Sequence, residues 1–173
     1  MRKDAMVRTL IACAVTALAG STGVTAAASP SPPPPTVTCE SIITPTGSFS
    51  WRPKRVVLGV VAVPPAFIPQ TMPSGMARWP YWSKAGLVVR ADSPPVVVRV
   101  PRAWRSRVAI GWGNAEAGSA LWIAFCPPSS SLGDWNPYAG GFQLRSRAAC
   151  VPLEFHVGRR RAVVRFGVGR RCG

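Results

Sequence analysis

The sequence has few side chains that transfer protons. Its 173 residues include one histidine, His156, and six Asp and Glu against 21 Lys and Arg. A Ser-His-Asp or Cys-His set would have to use His156, which follows Glu154 by two residues in a predicted strand, an arrangement typical of a surface histidine. Asp134, beside Trp135, is the only acid in an aromatic setting, and a glycosidase needs two carboxylates. The sequence therefore predicts that the protein is not an enzyme.

Motifs for metals and phosphate-containing cofactors are also missing. The sequence contains no C-x-x-C pair, and a single histidine argues against zinc. Gly111-Trp112-Gly113 and Gly167-Val168-Gly169 are G-x-G fragments with neither a third glycine nor a helix behind them, so they are more typical of strand ends or bulges. The sequence predicts no metal and no cofactor.

Acidic side chains are too few to neutralise the basic ones. Three of the basic residues and one acid precede Ser29, so the rest of the chain has 18 against five and a formal charge of +13. Abundant Ala, Arg, Gly, Pro and Val beside only two lysines after Ser29 indicate a high-GC bacterial genome. A charge of this size favours anionic partners. We expect an anionic polymer, glycan or lipid headgroup of the bacterial envelope rather than nucleic acid.

The first residues have the layout of a secretory signal peptide. Three basic residues flank the start of the apolar run Thr9–Gly20, and small-residue cleavage sites end at Ala26 and Ala28. We predict a signal peptide at 1–28, secretion, and no transmembrane segment after its removal. The alternative is a lipid anchor, because the residues ending at Cys13 resemble a lipobox. The apolar segment continues for five residues beyond Cys13, which favours a cysteine inside the signal.

The remaining chain divides into a linker and one domain. Ser29–Thr38, with the sequence SPSPPPPTVT, is predicted to be a proline-rich disordered linker. The stretch 39–173 has the size of a single domain and consists of short β-branched runs between Pro, Gly and Ser clusters. We predict an all-β domain: a two-sheet antiparallel β-sandwich of about eight short strands with two disulfides. The predicted strands are 54–63, 86–91, 95–100, 107–112, 119–125, 140–145, 151–157 and 162–168.

The C-terminal hairpin has a pattern that suggests its register. Pairing Val157 with Ala162 across a four-residue loop aligns alternate apolar residues of both strands on one face. On the other face, this register sets Glu154 opposite Arg165. It also sets Cys150 opposite Gly169.

Four cysteines follow Cys13, and an even number in an exported chain predicts two disulfides. In the predicted register, Cys172 lies about 10 Å along the strand from the position opposite Cys150. A bridge needs Cα atoms within about 7 Å of each other, so these two are disfavoured as partners unless the tail doubles back. We therefore predict Cys126–Cys150 and Cys39–Cys172.

Two aromatic segments interrupt the predicted strands, RWPYWSK at 78–84 and DWNPY at 134–138. Aromatic rings beside hydrogen-bonding groups stack on sugars, and cationic aromatic loops suit a membrane interface. The alternative is that the tryptophans cap the core, as is common for this large side chain. The candidate ligand-binding residues are Trp79, Tyr81, Trp82, Asp134, Trp135 and Tyr138.

The arginines are concentrated in two groups. One surrounds Trp104 and comprises Arg99, Arg102, Arg105 and Arg107. Both groups are solvated faces by default, but together they exceed the acids, so a positive potential must remain. The second group, predicted as a basic patch, comprises Arg159, Arg160, Arg161, Arg165, Arg170 and Arg171.

These features predict an exported, non-catalytic protein that binds an anionic or glycan component of the bacterial cell envelope. One alternative is a secreted hydrolase of polysaccharide or peptide, with Asp134 or His156 as general acid or base. Another is an interaction or inhibitor module, in which a disulfide-bound loop at 127–139 inserts into a partner.

Overall fold

The protein is described by a computed structural model, which covers residues 32–44, 55–129 and 133–173. The predicted signal peptide at 1–28, including Cys13, lies outside the described residues. Within them, no helix has the length and hydropathy required to cross a bilayer.

Strands dominate the described residues, as the β-branched and aromatic composition predicts. The helical part consists of two short 3₁₀ turns, Cys39–Ser41 and Arg102–Trp104. The all-β prediction is confirmed. The described strands are β1 (Thr36–Val37), β2 (Val56–Val57), β3 (Val61–Ala62), β4 (Phe67–Ile68), β5 (Met72–Pro73), β6 (Tyr81–Lys84), β7 (Leu87–Arg90), β8 (Val96–Arg99), β9 (Val108–Trp112), β10 (Ala120–Ile123), β11 (Trp135–Tyr138), β12 (Gly140–Leu144), β13 (Ala149–Val157) and β14 (Arg160–Val168).

These strands form three sheets. The largest has the order β1-β10-β8-β13-β14-β4, and the two smaller ones have the orders β11-β7-β3-β2 and β5-β6-β12-β9. Neighbours are antiparallel except for β1 beside β10 and β4 beside β14. The prediction of about eight strands in two sheets therefore differs from the fourteen strands and three sheets of the described chain. Five of the additional strands, β1, β4, β5, β6 and β11, lie in segments that the sequence pattern assigned to loops or linker.

One apolar core is shared by the three sheets. Along β13, buried and half-exposed residues alternate over all nine positions, which is the period of a strand with one face inward. Phe142 on β12 packs against Phe166 on β14, with ring centroids 5.7 Å apart, and so joins a small sheet to the large one. The indole of Trp112 donates a buried hydrogen bond of 2.7 Å to the Ala85 carbonyl oxygen.

The segment predicted as a single strand at 54–63 contains a hairpin at a sheet edge. Leu58 and Gly59 have φ values of 53° and 75°, and two successive left-handed residues make a tight reversal between β2 and β3. The Val60 N–H donates to the Val57 carbonyl oxygen at 3.2 Å across this turn. The uniform apolar character of the segment therefore belongs to two very short strands.

The ordered domain begins before Cys39. Val37 on β1 is fully buried, and β1 pairs in parallel with β10. The last residues of the predicted disordered linker, 29–38, are thus part of the domain, because Val37 occupies a core position.

The C-terminal hairpin has a register two residues away from the predicted one. Val157 pairs with Arg160, so the turn is the dipeptide Gly158-Arg159, and Phe155 lies opposite Ala162. A shift of two residues keeps every side chain on the same face, so the apolar face is preserved. The alternation of residue types could not distinguish the two registers.

The disulfides are Cys39–Cys126 and Cys150–Cys172, with Cα atoms 5.5 and 5.2 Å apart. The predicted pairs Cys126–Cys150 and Cys39–Cys172 are therefore wrong. The prediction that all four cysteines are bridged is confirmed.

The tail beyond β14 doubles back, and this fold-back explains the second disulfide. The chain reverses at Gly169, which has a left-handed φ of 67°. A Cβ on Gly167 would lie 3.0 Å from both the Arg171 Cα and the Cys172 nitrogen, so the returning tail packs directly on Gly167. Because Gly167 pairs with Cys150, the fold-back brings Cys172 to Cys150.

The parallel pairing of β1 and β10 explains the other disulfide. The two strands run side by side in the same direction, with Val37 opposite Ile123. Cys39 therefore follows its strand at the same level as the residues that follow β10, and its sulfur lies 3.4 Å from the Phe125 carbonyl oxygen. The next residue, Cys126, becomes the partner.

Candidate functional site

Two of the six candidate ligand-binding residues belong to the core. Trp79 is 8% exposed and Tyr138 is 1% exposed. Burial raises the pKa of the Tyr138 phenol to about 12, because desolvation disfavours the phenolate. For these two residues, the alternative that the aromatics serve the core agrees with the structure.

The other four candidates lie on or beside two strands of different sheets. Tyr81 and Trp82 are half-buried on β6, and Trp135 is half-buried on β11. The Arg147 guanidinium carbon lies 5.8 Å from the centre of the Tyr81 ring. Asp134 is exposed, and its carbonyl oxygen accepts a hydrogen bond of 2.7 Å from the Ala91 N–H. The two segments are therefore not neighbouring strands of one binding face.

The ends of the segment 127–139 are joined by a buried amide. The Asn136 side chain is 1% exposed and donates a hydrogen bond of 2.9 Å to the Pro127 carbonyl oxygen. Residues 130–132 lie outside the described part of the chain. Residues 135–138, which the sequence pattern assigned to a loop, form the edge strand β11.

His156 belongs to a small polar cluster on the outward side of β13. Its Nε2 lies 3.4 Å from a Glu154 carboxylate oxygen, and the other oxygen accepts a hydrogen bond of 2.7 Å from Arg161. The predicted partner of Glu154 was Arg165, and this prediction is wrong because of the two-residue shift in register. Arg165 lies opposite Pro152 instead.

The six arginines of the predicted basic patch do not lie together. Arg159 and Arg160 are at the turn of the C-terminal hairpin, whereas Arg170 and Arg171 follow the far end of β14. The nine residues of β14 span about 26 Å at about 3.3 Å per residue. The patch therefore divides into one group at each end of the hairpin, with Arg161 and Arg165 between them.

Arg170 meets Arg107, a member of the arginine group around Trp104, at a pocket of about 390 Å³. Three segments form its wall: the turn before β9, the connection between β12 and β13, and the tail after β14. None of its three arginines forms an ion pair with a carboxylate in the described ranges. We call this site the arginine pocket, and its lining residues are Trp104, Arg107, Arg145, Ser146, Ala148, Ala149 and Arg170.

Arg107 and Arg145 face each other across two paired strands. Leu144 pairs with Val108, so the next residues, Arg145 and Arg107, come opposite each other. The Arg145 N–H donates to the Arg107 carbonyl oxygen at 3.0 Å. Like charges directly opposite each other in a sheet are destabilising, so this pair is an unfavourable feature of the fold.

Trp104 holds the guanidinium of Arg107. The guanidinium carbon lies 5.5 Å from the centre of the indole ring. The backbone N–H of Arg107 donates to the Trp104 carbonyl oxygen at 2.8 Å. An arginine over an aromatic face keeps its in-plane N–H donors available for a ligand. Arg107 is therefore oriented before a ligand arrives.

The fold-back of the tail positions Arg170. The Gly169 N–H donates to the Ile68 carbonyl oxygen at 2.8 Å, and a Cβ at Gly169 would lie 2.4 Å from the Arg147 carbonyl oxygen. This residue must be glycine, because its φ is left-handed and the space beside it is filled by backbone. Two residues beyond Arg170, Cys172 is bonded to Cys150. The Arg170 backbone is therefore held on one side by Gly169 and on the other by Cys172.

The chemistry of the arginine pocket suits the binding of an anion. Three guanidinium groups supply positive charge and directed N–H donors, and charge-assisted hydrogen bonds are the strong ones. The seven lining residues include neither a carboxylate nor a histidine that would act as a base. The Ser146 hydroxyl donates to the Ala148 carbonyl oxygen at 3.0 Å. The lone pairs of the Ser146 oxygen therefore stay available to accept a hydrogen bond from a ligand.

Sequence reasoning identified part of this pocket. Arg107 and Arg170 were recognised, but in separate groups, and Arg145 was missed. The available signal was the tripeptide Arg145-Ser146-Arg147 at the end of a predicted strand.

The chain matches no protein-family model, no curated protein and no solved structure. A fold in any case hosts many functions, so function has to be inferred from the charge and geometry of the site.

Proposed function

We propose that this chain is an exported, non-catalytic protein that binds an anionic component of the bacterial cell envelope. The observation that carries the proposal is the arginine pocket, in which three guanidinium groups border one cavity and have no carboxylate partner among the described residues. Cations held close together repel each other, and an anionic ligand between them removes that repulsion.

The charge of the whole chain supports the same proposal. Its 21 basic residues exceed its six acidic ones, and one of the acids, Glu154, engages Arg161 at a distance from the pocket. A positive potential over the surface attracts polyanions and raises their association rate. The pocket then supplies a local contact within this general attraction.

The burial of two of the candidate aromatic residues favours an anion over a neutral glycan. Stacking on a sugar needs an exposed ring face, and Trp79 and Tyr138 are buried. The half-buried rings of Tyr81 and Trp135 lie on different sheets. We therefore assign binding to the arginines and not to the aromatic segments.

Export is supported by the two disulfides and by the signal-like N-terminus. Disulfides persist in oxidising compartments and are rare in the reducing cytosol. The wall polymers and lipid headgroups of a bacterial envelope are then the anions that the protein meets first.

Sedimentation with isolated bacterial cell wall tests the proposal. We expect the disulfide-bonded protein to sediment with the wall at about 50 mM salt and to be released at about 500 mM, because screening shortens the reach of charge. A neutral polysaccharide such as cellulose is the control and should retain little protein at either salt concentration. Absence of retention on the wall at low salt would contradict the proposal.

A further inference from the structure

We infer that the arginine pocket is a site for a phosphate monoester, whose phosphoryl group lies among Arg107, Arg145 and Arg170. This inference rests on the proposed function and names the class of ligand that the pocket recognises. It is carried by the number and the charge of the three guanidinium groups and by the contacts that position the residues bearing them.

The three guanidinium groups have more N–H donors than a carboxylate has lone-pair sites to accept them. Each guanidinium has five N–H donors in one plane, whereas a carboxylate offers two oxygens with about four lone-pair sites. A phosphate monoester offers three terminal oxygens, which lie on three sides of the phosphorus. Three arginines from three separate segments match that arrangement better than they match a planar anion with two oxygens.

The charge of the site leads to the same ligand. None of the three arginines is paired with a carboxylate in the described ranges. A phosphate monoester carries a charge of about −1.5 to −2 at neutral pH, whereas a carboxylate or a phosphodiester carries −1. The doubly charged group therefore removes more of the repulsion between Arg107 and Arg145, which lie opposite each other.

The fold holds the guanidinium of Arg107 and the backbones of Arg145 and Arg170 before the ligand binds. Arg107 lies over the Trp104 ring, the Arg145 backbone is bonded to the Arg107 backbone, and Arg170 follows the Gly169 reversal. Binding groups that are already ordered lose less conformational entropy when a ligand arrives. All three are exposed, as Arg159 and Arg160 at the hairpin turn are, and the guanidinium of Arg107 held over Trp104 is what distinguishes the pocket.

The size of the pocket indicates an ester and not a free phosphate ion. A volume of about 390 Å³ lies within the range of about 300–1,000 Å³ that is typical of sites for small organic ligands. A phosphoryl group among the arginines leaves space for the alcohol part, such as a polyol or a sugar. Trp104, Ala148 and Ala149 supply apolar wall for that part.

The test is a calorimetric titration of the disulfide-bonded protein at constant ionic strength. The ligands are glycerol 3-phosphate, inorganic phosphate and glycerate, a carboxylate of similar size. We expect saturable binding of glycerol 3-phosphate with one site and at least tenfold higher affinity than for either of the others. Binding should weaken as the pH falls below about 6, because the phosphate monoester then loses its second charge.

Matched variants separate the pocket from general electrostatics. Arg145→Gln should lower the affinity for glycerol 3-phosphate at least tenfold, whereas Arg160→Gln, with the same change in charge at the far end of the hairpin, should stay within twofold. Arg170→Gln is the second pocket variant if Arg145→Gln does not fold. Circular dichroism and thiol titration establish that each variant is folded and bridged.

The outcomes distinguish this inference from the proposed function. Equal weakening by Arg145→Gln and Arg160→Gln, or equal affinity for glycerate, would overturn the phosphate site while retention on cell wall could still hold. Loss of wall retention with intact binding of glycerol 3-phosphate would overturn the envelope function alone. Competition by glycerol 3-phosphate against cell wall identifies a wall polymer as the source, and competition against phosphatidic acid vesicles identifies a lipid. Competition against neither, with intact binding of glycerol 3-phosphate, would overturn the envelope function and leave the phosphate site standing.

Discussion

Separate removal of the two disulfides should affect stability and anion binding in opposite order. Cys39–Cys126 closes a loop of 87 residues, whereas Cys150–Cys172 closes one of 22 residues. In the chain-entropy model these loops correspond to about 4.6 and about 3.4 kcal/mol of stabilisation at 25 °C. The variant in which Cys39 and Cys126 are both replaced should therefore be less stable by about 1 kcal/mol than the variant in which Cys150 and Cys172 are both replaced.

Binding of glycerol 3-phosphate should depend on Cys150–Cys172, the disulfide that contributes less to stability. Cys150–Cys172 holds the tail that carries Arg170 into the arginine pocket. Cys39–Cys126 joins the residues after β1 to those after β10, and neither of its cysteines lines the pocket. We expect the variant without Cys150–Cys172 to bind glycerol 3-phosphate at least fivefold more weakly, and the variant without Cys39–Cys126 to bind as the unmodified protein does.

Urea unfolding measures the first effect and calorimetric titration of the still folded variants measures the second. Each pair is replaced by alanines, so that no free thiol remains to exchange with the other bridge. Wild-type affinity without Cys150–Cys172 would show that the Gly169 contacts alone position Arg170. A larger loss of stability from the 22-residue loop would show that loop entropy does not dominate the energetics of these bridges.

Three further variants test the packing and the titration of the described chain. Burial raises the pKa of Tyr138 from 10.0 in the unfolded chain to about 12 in the folded protein. The free energy of unfolding should therefore fall as the pH rises from 10 to 12, by about 2 kcal/mol at pH 12. Tyr138→Phe should remove this fall, which urea titrations at each pH measure. Gly169→Ala should lower stability by more than the roughly 1–2 kcal/mol of a left-handed alanine and weaken glycerol 3-phosphate binding, since its Cβ meets a backbone oxygen at 2.4 Å. Gly158→Ala, with similar φ and open space, is the control and should leave binding unchanged. Phe166→Ala should cost about 3–5 kcal/mol in urea unfolding. Val163→Ala, on the same strand but 52% exposed, should change stability by less than about 0.5 kcal/mol.

The sequence predicted which face of each long strand is buried, but not which residues pair. The alternation in β13 and β14 is compatible with any register shifted by an even number of residues. The tight turn at Gly158-Arg159 selects one of them, and the fold-back at Gly169 then decides the partner of Cys150. The wrong disulfide prediction follows from these two local geometries, which an extended tail does not contain.

The two aromatic segments, predicted as loops, each contain a proline. Pro137 lies in the middle of β11, where a missing N–H normally argues against a strand. However, β11 is the edge of its sheet, and the Pro137 carbonyl oxygen accepts a hydrogen bond from the Ile43 N–H and not from β7, so the missing N–H lies on the outer side of the strand. Trp135 and Tyr138 are thus positioned by a strand, and Tyr138 becomes part of the core. Sequence patterns do not tell an edge strand with proline from a loop.

The arginine pocket could not be predicted because its charged residues come from distant segments. Arg107, Arg145 and Arg170 are separated by 38 and 25 residues, and the pairing of β9 with β12 and the returning tail bring them together. Composition predicts that positive charge remains uncompensated somewhere on the surface. It does not predict that two of the cations lie directly opposite each other in a sheet.

The last prediction concerns Arg107 and Arg145, which lie opposite each other. If their repulsion lowers stability, removal of one of the two charges should raise the free energy of unfolding. Like charges directly opposite each other in a sheet cost about 0.2–1 kcal/mol, so Arg145→Gln should raise the free energy of unfolding by that amount while it weakens binding of glycerol 3-phosphate. Arg160→Gln removes the same charge opposite Val157 and should change neither quantity. Urea unfolding at low and high salt is the measurement, and the gain from Arg145→Gln should shrink at high salt as screening weakens the repulsion. If Arg145→Gln destabilises the protein instead, Arg145 is a structural residue, and the repulsion assigned to Arg107 and Arg145 is not present.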